Sequence, residues 1–103
     1  MTTIHSDKKN ILHIDLETFS SVDLADCGVY KYAESPDFEI LLFGYAFNEE
    51  PVKVLEHINQ NNLPKHLRDA LLDENTIKVA HNAQFERVCL SQISGISPAF
   101  LPP

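Results

Sequence analysis

Apolar and polar residues alternate regularly over residues 10–17, NILHIDLE. This period of two is typical of a β-strand with one buried face. The predicted inner face carries Leu12, Ile14 and Leu16. The opposite face carries Ile11, His13, Asp15 and Glu17. Residues 1–9, which precede the strand, are polar and are expected to form a flexible N-terminus.

Three further segments are predicted strands. Residues 39–47, EILLFGYAF, are almost entirely apolar, and a short polar break separates them from a strand around Val52, Val54 and Leu55. The short break predicts that these two strands form an antiparallel hairpin. Residues 76–80, TIKVA, are a short fourth strand, whereas residues 18–38 are expected to be turn-rich and mixed.

Two helices are predicted in the second half of the chain. Pro64 suits the first turn of a helix that carries Leu67, Ala70 and Leu71 at helical spacing. Asn82 can cap a second helix, which Gly95 is expected to end. Its predicted apolar stripe is Phe85, Cys89 and Ile93. Residues 97–103, SPAFLPP, are expected to be neither helix nor central strand.

The predicted order β, β, β, α, β, α indicates an α/β domain. The hairpin makes two strands antiparallel, and the strand after the crossover helix is expected to be parallel to a neighbour, so the sheet is mixed. The crossover is expected to be right-handed.

Composition narrows the possible partners. The chain has 103 residues, with 15 acidic and 8 basic ones, for a net charge of −7. A protein that neutralises many phosphates needs an excess of Lys and Arg, so contact with nucleic acid must be local or pass through bound cations. No apolar run approaches the roughly 18 residues of a membrane span, and the polar start is not a signal peptide. A cytoplasmic protein without a membrane partner is therefore expected, with Cys27 and Cys89 as buried or partly buried free thiols.

Asp15 and Glu17 are the first candidates for chemistry. Residues i and i+2 of a strand point to the same side, so their carboxylates lie roughly 7 Å apart and repel each other. A hard divalent cation such as Mg²⁺ neutralises such a pair well. The alternative is that the strand frays after Ile14 and both carboxylates are solvated.

A second candidate cluster, His81-Asn82-Ala83-Gln84-Phe85-Glu86, follows the fourth strand directly. Residues at the carboxyl ends of strands in open α/β sheets often line sites. The alternatives are that Asn82 only caps the helix, that Phe85 is core, and that Glu86 is a solvated acid of the first turn. His81 could orient substrate or simply pack near the strand end. The five histidines show no zinc-site spacing.

The two clusters together resemble the first two motifs of the DEDD superfamily of 3′→5′ exonucleases, which have a ribonuclease H-like fold. The matching residues are Asp15-Leu16-Glu17 and Asn82-Ala83-Gln84-Phe85-Glu86. The sequence from about residue 10 to about residue 90 also resembles the proofreading exonuclease region of phage- or prophage-type family A DNA polymerases. The motif usually has Asp where this chain has Glu86.

The resemblance implies a site with two divalent cations, Mg²⁺ or Mn²⁺. Asp15 would bind both ions, Glu17 the ion on the side of the attacking water, and Glu86 the second ion, largely through water. Thr18, Asn82 and Phe85 would position the 3′ end of single-stranded DNA. Leu16 would contribute through its backbone or its side chain.

The third motif of the superfamily, with a Tyr or His general base and a final Asp, has no counterpart here. The resemblance therefore implies an N-terminal exonuclease fragment over residues 10–103, inactive when isolated and dependent on a downstream polymerase region. An uncovered apolar face would favour self-association. The alternatives are a stand-alone DNA or RNA exonuclease of the same superfamily and a non-catalytic module that binds nucleic acid or protein.

Overall fold

The computed structural model describes residues 10–94, which form four strands and three helices. The strands are β1 (Asn10–Phe19), β2 (Glu39–Phe47), β3 (Lys53–Ile58) and β4 (Thr76–Ala80). The helices are α1 (Leu24–Glu34), α2 (Lys65–Leu72) and α3 (Ala83–Ser94). Among the described residues, no helix is long and apolar enough to cross a membrane.

The strands form one mixed sheet in the order β3-β2-β1-β4. β1 pairs antiparallel with β2 and parallel with β4, and β2 and β3 form the predicted antiparallel hairpin. The register between β1 and β2 shifts between Glu17 and Thr18. The predicted mixed α/β class is confirmed, and the architecture is consistent with part of a ribonuclease H-like fold.

A single apolar core joins one face of the sheet to the helices. The alternate residues of β1 are buried as predicted, because their side chains pack against apolar positions on all three helices. Phe43 of β2 is completely buried at the centre. The other members of the core include Leu12, Ile14, Leu16, Ala33, Leu67, Leu71, Val88 and Ile93.

The helix α1 is absent from the sequence prediction, which had residues 18–38 as turns. The helix contains a break at Gly28, whose φ of +83° lies in the left-handed region that glycine adopts without strain. The break divides α1 into two short pieces, so no helical apolar period extends across it. The N-cap Asp23, whose Oδ1 accepts a hydrogen bond from the Ala25 amide, is the sequence signal that marks its start.

The expected burial of the two cysteines is correct for only one of them, and the expectations for both chain ends fall outside the described residues. Both cysteines are free thiols, but Cys27 is exposed and only Cys89 is buried, because Cys27 lies on the solvent side of α1. Residues 1–9, Gly95 and residues 97–103 lie outside the described residues, and so do the expectations for them.

Candidate nuclease site

Asp15 and Glu17 project from the face of β1 that the helices do not cover. Both are exposed, and β1 continues through Phe19. The strand therefore does not fray after Ile14, although both carboxylates are exposed to solvent, as that alternative also expected. Because both residues precede the register shift between β1 and β2, the two carboxylates lie on one side, as their spacing predicts.

A shallow trough of about 260 Å³ lies beside this carboxylate pair. Gly44 is the partner of Asp15 in the register of β1 and β2. A Cβ at residue 44 would lie 3.3 Å from the Asp15 carbonyl oxygen, so glycine provides the close approach of the two strands here. Val52 and Val54 form an apolar wall, so the trough combines a carboxylate edge with an apolar surface.

Apolar side chains remain exposed on both flanks of the sheet. Val54 of β3 is 56% exposed and Ile77 of β4 is 46% exposed. Val52 and Val79 are exposed as well. Within residues 10–94 these side chains meet the expectation of an uncovered apolar surface, and self-association through it stays a prediction.

Glu86 lies in the first turn of α3 and is only 4% exposed, so the alternative of a solvated acid is wrong. Its Oε2 is buried without a hydrogen-bond partner. Burial raises the pKa of the Glu86 carboxyl, and the negative charge of Asp15 adds to the increase. Backbone hydrogen bonds to the carboxyl act in the opposite direction and lower the pKa. The charge of Asp15 therefore influences Glu86, although the two residues belong to different motifs.

The start of α3 is fixed as the sequence predicts. The Asn82 side-chain oxygen accepts a hydrogen bond from the Phe85 amide at 3.3 Å, which makes Asn82 the cap of the helix. Phe85 is half-buried and packs against the core, and His81 is exposed in the preceding turn. Capping and packing account for these contacts, and a contact of Asn82 or Phe85 with substrate stays a prediction.

Tyr32 of α1 contacts a residue next to the first motif and a residue within the second, and sequence reasoning missed it. Its hydroxyl lies 2.9 Å from Thr18 Oγ1, and its ring centroid lies 5.9 Å from that of Phe85. No local spacing signals this role, since Tyr32 lies in the segment that was predicted as turns. The side chain of Leu16, in contrast, is buried in the core.

The donor set suits a hard divalent cation in its chemistry. Asp15, Glu17 and Glu86 supply carboxylate oxygens, which Mg²⁺ and Mn²⁺ prefer, and the buried Glu86 Oε2 lacks any other partner. Within residues 10–94, however, no three His, Cys, Asp or Glu side chains are grouped closely enough to hold a metal ion. The structure places two of the candidate ligands, Asp15 and Glu17, on one face of β1. The third, Glu86, lies close enough for the charge of Asp15 to raise its pKa, but the three carboxylates do not form one cluster.

The mixed sheet and the carboxylate edge define a fragment of α/β type that is consistent with a ribonuclease H-like fold. Over 81 residues, which are 79% of this chain, the sequence is 53% identical to a DNA polymerase of Bacillus phage SP02. The matched stretch is 12% of that polymerase, so the chain spans about an eighth of the relative's length. No family model matches the chain, and no solved structure matches it.

Proposed function

We propose that this chain is part of the 3′→5′ proofreading exonuclease unit of a phage-type DNA polymerase. The parent protein would hydrolyse the terminal phosphodiester of single-stranded DNA with the help of divalent cations. The similarity to a phage DNA polymerase supports the polymerase assignment. The observation that carries the exonuclease assignment is the buried carboxylate of Glu86, whose Oε2 has no hydrogen-bond partner and whose pKa is raised by burial and by the charge of Asp15.

A buried carboxylate with one oxygen left without a hydrogen bond is unfavourable for folding. An unpaired buried charge costs free energy unless a proton, a hydrogen bond or a cation compensates it. Asp15 cannot compensate Glu86, because both groups are acidic. A cation between them would remove both the repulsion and the desolvation cost, which is why the pair favours a metal site over a purely structural role.

Each candidate residue then has a distinct task. Asp15, Glu17 and Glu86 would hold two divalent cations. The cations, when bound, supply Lewis acidity that activates a water and stabilises the leaving 3′ oxygen. Thr18 and Phe85 would orient the terminal nucleotide, and the aromatic ring of Phe85 offers an apolar surface to a sugar or base. Asn82 would hold α3 in place through its cap.

The net charge of −7 fits this arrangement. An acidic protein attracts a polyanion only where cations lie between the two. Binding of DNA by this chain is therefore expected to depend on Mg²⁺ or Mn²⁺, and the remaining affinity would come from the polymerase region of the parent protein.

Calorimetric titration with Mn²⁺ tests the site directly. The variant Asp15→Ala/Glu17→Ala is compared with Glu49→Ala/Glu50→Ala, which removes the same charge from an exposed turn. We expect saturable binding in the wild type and in the turn variant, and its loss in the Asp15→Ala/Glu17→Ala protein. Absence of binding in a folded wild type would contradict the proposal for this chain and favour a non-catalytic module.

Cleavage of a 5′-labelled single strand provides the second readout. We expect little or no shortening by the isolated 103 residues, and shortening from the 3′ end by the polymerase that contains them. Strong Mg²⁺-dependent cleavage by the isolated chain, abolished by Asp15→Ala, would show that the site is complete without further residues.

A further inference from the structure

We infer that Tyr32 is a positioning residue that sets Thr18 and Phe85 in the orientation needed to hold the 3′-terminal nucleotide. The inference rests on the proposed exonuclease function and adds to it a residue that lies in neither motif. Tyr32 lies on α1, and its side chain contacts a residue next to the first motif and a residue within the second.

The contact with Thr18 is a hydrogen bond between two hydroxyl groups at 2.9 Å. A hydroxyl group donates one proton and accepts through its lone pairs. When Tyr32 donates to Thr18 Oγ1, the Thr18 proton is directed to another acceptor. Thr18 directly follows Glu17 near the end of β1, and the positioning role requires that an oxygen of the DNA terminus accept that proton there.

The contact with Phe85 is between aromatic rings. The ring centroids of Tyr32 and Phe85 are 5.9 Å apart with the planes tilted by 47°, and Phe38 contacts the other side of Tyr32 in an edge-to-face arrangement at 6.0 Å. Tilted and edge-to-face pairs at these distances are favourable. Phe85 is therefore supported by an aromatic row and not by the apolar core alone.

The helix that carries Tyr32 is anchored at both ends. Asp37 Oδ1 accepts a hydrogen bond from the Ser21 amide before α1 and another from the Ser35 hydroxyl after it. Ala33, the neighbour of Tyr32, is 2% exposed in the core. These contacts join the chain segments on either side of α1, and the Tyr32 hydroxyl is connected to β1 by its own hydrogen bond with Thr18.

The test uses a short single-stranded DNA with the fluorescent base 2-aminopurine at its 3′ end, in Mn²⁺. Fluorescence of the terminal base reports how that base is seated, and anisotropy of a 5′ dye reports overall binding. The variants are Tyr32→Phe, which removes only the hydroxyl, and Thr18→Val. The control is Tyr30→Phe, because Tyr30 is 51% exposed on the same helix.

We expect Tyr32→Phe and Thr18→Val each to lower the equilibrium constant for seating of the terminal base, read from its fluorescence, by about fivefold. This is the effect of losing one hydrogen bond. The double variant is expected to show no further loss, since both changes remove the same interaction. Tyr30→Phe is expected to remain near wild type, and Tyr32→Phe is expected to stay folded with a melting temperature lowered by about 4–8 °C, the effect of one lost hydrogen bond. Tyr32→Leu, which also removes the ring, is expected to weaken seating more than Tyr32→Phe does.

The outcomes separate this inference from the proposed function. If the wild type gives a terminal-base signal that Asp15→Ala/Glu17→Ala abolishes, and Tyr32→Phe behaves like Tyr30→Phe, the positioning role is overturned and the exonuclease proposal stands. Additive losses in the double variant would overturn it as well. If the folded wild type gives no terminal-base signal, the proposed function and the positioning role both fail.

Discussion

Replacement of Glu86 by Gln removes one buried charge and retains the shape of the side chain. Glu86 is 4% exposed and its Oε2 has no hydrogen-bond partner. An ionised carboxylate in such surroundings destabilises the folded state, whereas a neutral amide is less costly to bury. In the absence of metal, we therefore expect Glu86→Gln to be more stable than the wild type at neutral pH.

The expected gain is about 1–3 kcal/mol, the usual range for one buried polar group left without a partner. For a chain of this length each kcal/mol corresponds to roughly 4–8 °C in melting temperature. The sign depends on pH. Burial raises the pKa of Glu86 in the folded chain above its usual 4.5, so the folded state binds the proton more readily than the unfolded state.

Ionisation of Glu86 therefore lowers stability at pH values above the folded-state pKa, and this cost disappears as the pH falls below 4.5. The gain from Glu86→Gln is expected at pH 7.5 and is expected to vanish near pH 4. The measurement is thermal unfolding followed by circular dichroism in EDTA, with the exposed-turn variant Glu49→Gln as control. Excess Mn²⁺ should then stabilise the wild type and not Glu86→Gln.

Two results would refute this reasoning. A Glu86→Gln protein less stable than the wild type at pH 7.5 in EDTA would mean that the carboxylate makes a favourable interaction in the folded chain. A gain of equal size at pH 7.5 and pH 4 would mean that the effect does not arise from the charge.

Three further predictions concern the core, the thiols and the cap. Phe43→Ala is expected to cost about 3–5 kcal/mol in urea unfolding, because the ring is completely buried, and a loss below 1 kcal/mol would contradict the central place of the ring. In the folded chain Ellman's reagent is expected to react with Cys27 and not with Cys89, because Cys89 is buried and burial raises the pKa of its thiol to about 12; two reactive thiols before unfolding would disprove this. Asn82→Ala is expected to lower the free energy of unfolding by about 1 kcal/mol and Asn82→Ser by less, and equal losses would show that the cap is not the cause.

Sequence periodicity predicted the strands because each strand has a distinct alternation or a continuous apolar run. It placed Asp15 and Glu17 on the face opposite Leu12, and burial in the structure confirms that division. It predicted residues 76–80 as a strand and Asn82 as a helix cap, and both are confirmed. These features depend on neighbours close in sequence, which a pattern records directly.

The features that sequence missed depend on contacts between distant segments. The helix α1 buries only Ala33 fully and breaks at Gly28, so it has little periodic signal of its own. The burial of Glu86 results from packing of α3 on the sheet, and an acid in a first turn is ordinarily exposed. The contact of Tyr32 with Thr18 requires the fold of the intervening chain, which no spacing reveals.

The central place of β1 has a consequence for how rigid the two halves of the site are. β1 has hydrogen-bonded neighbours on both sides over residues 10–14 and continues through Asp15 and Glu17 paired with β2, whereas α1 joins the rest of the chain through its packing on α3 and the contacts at its ends. Amide protons of strands paired on both sides exchange with solvent most slowly, and those of a short, broken helix exchange through local opening. The strand that carries Asp15 and Glu17 is therefore a fixed reference, and slow movements that admit or release a ligand would begin in the helix that carries Tyr32.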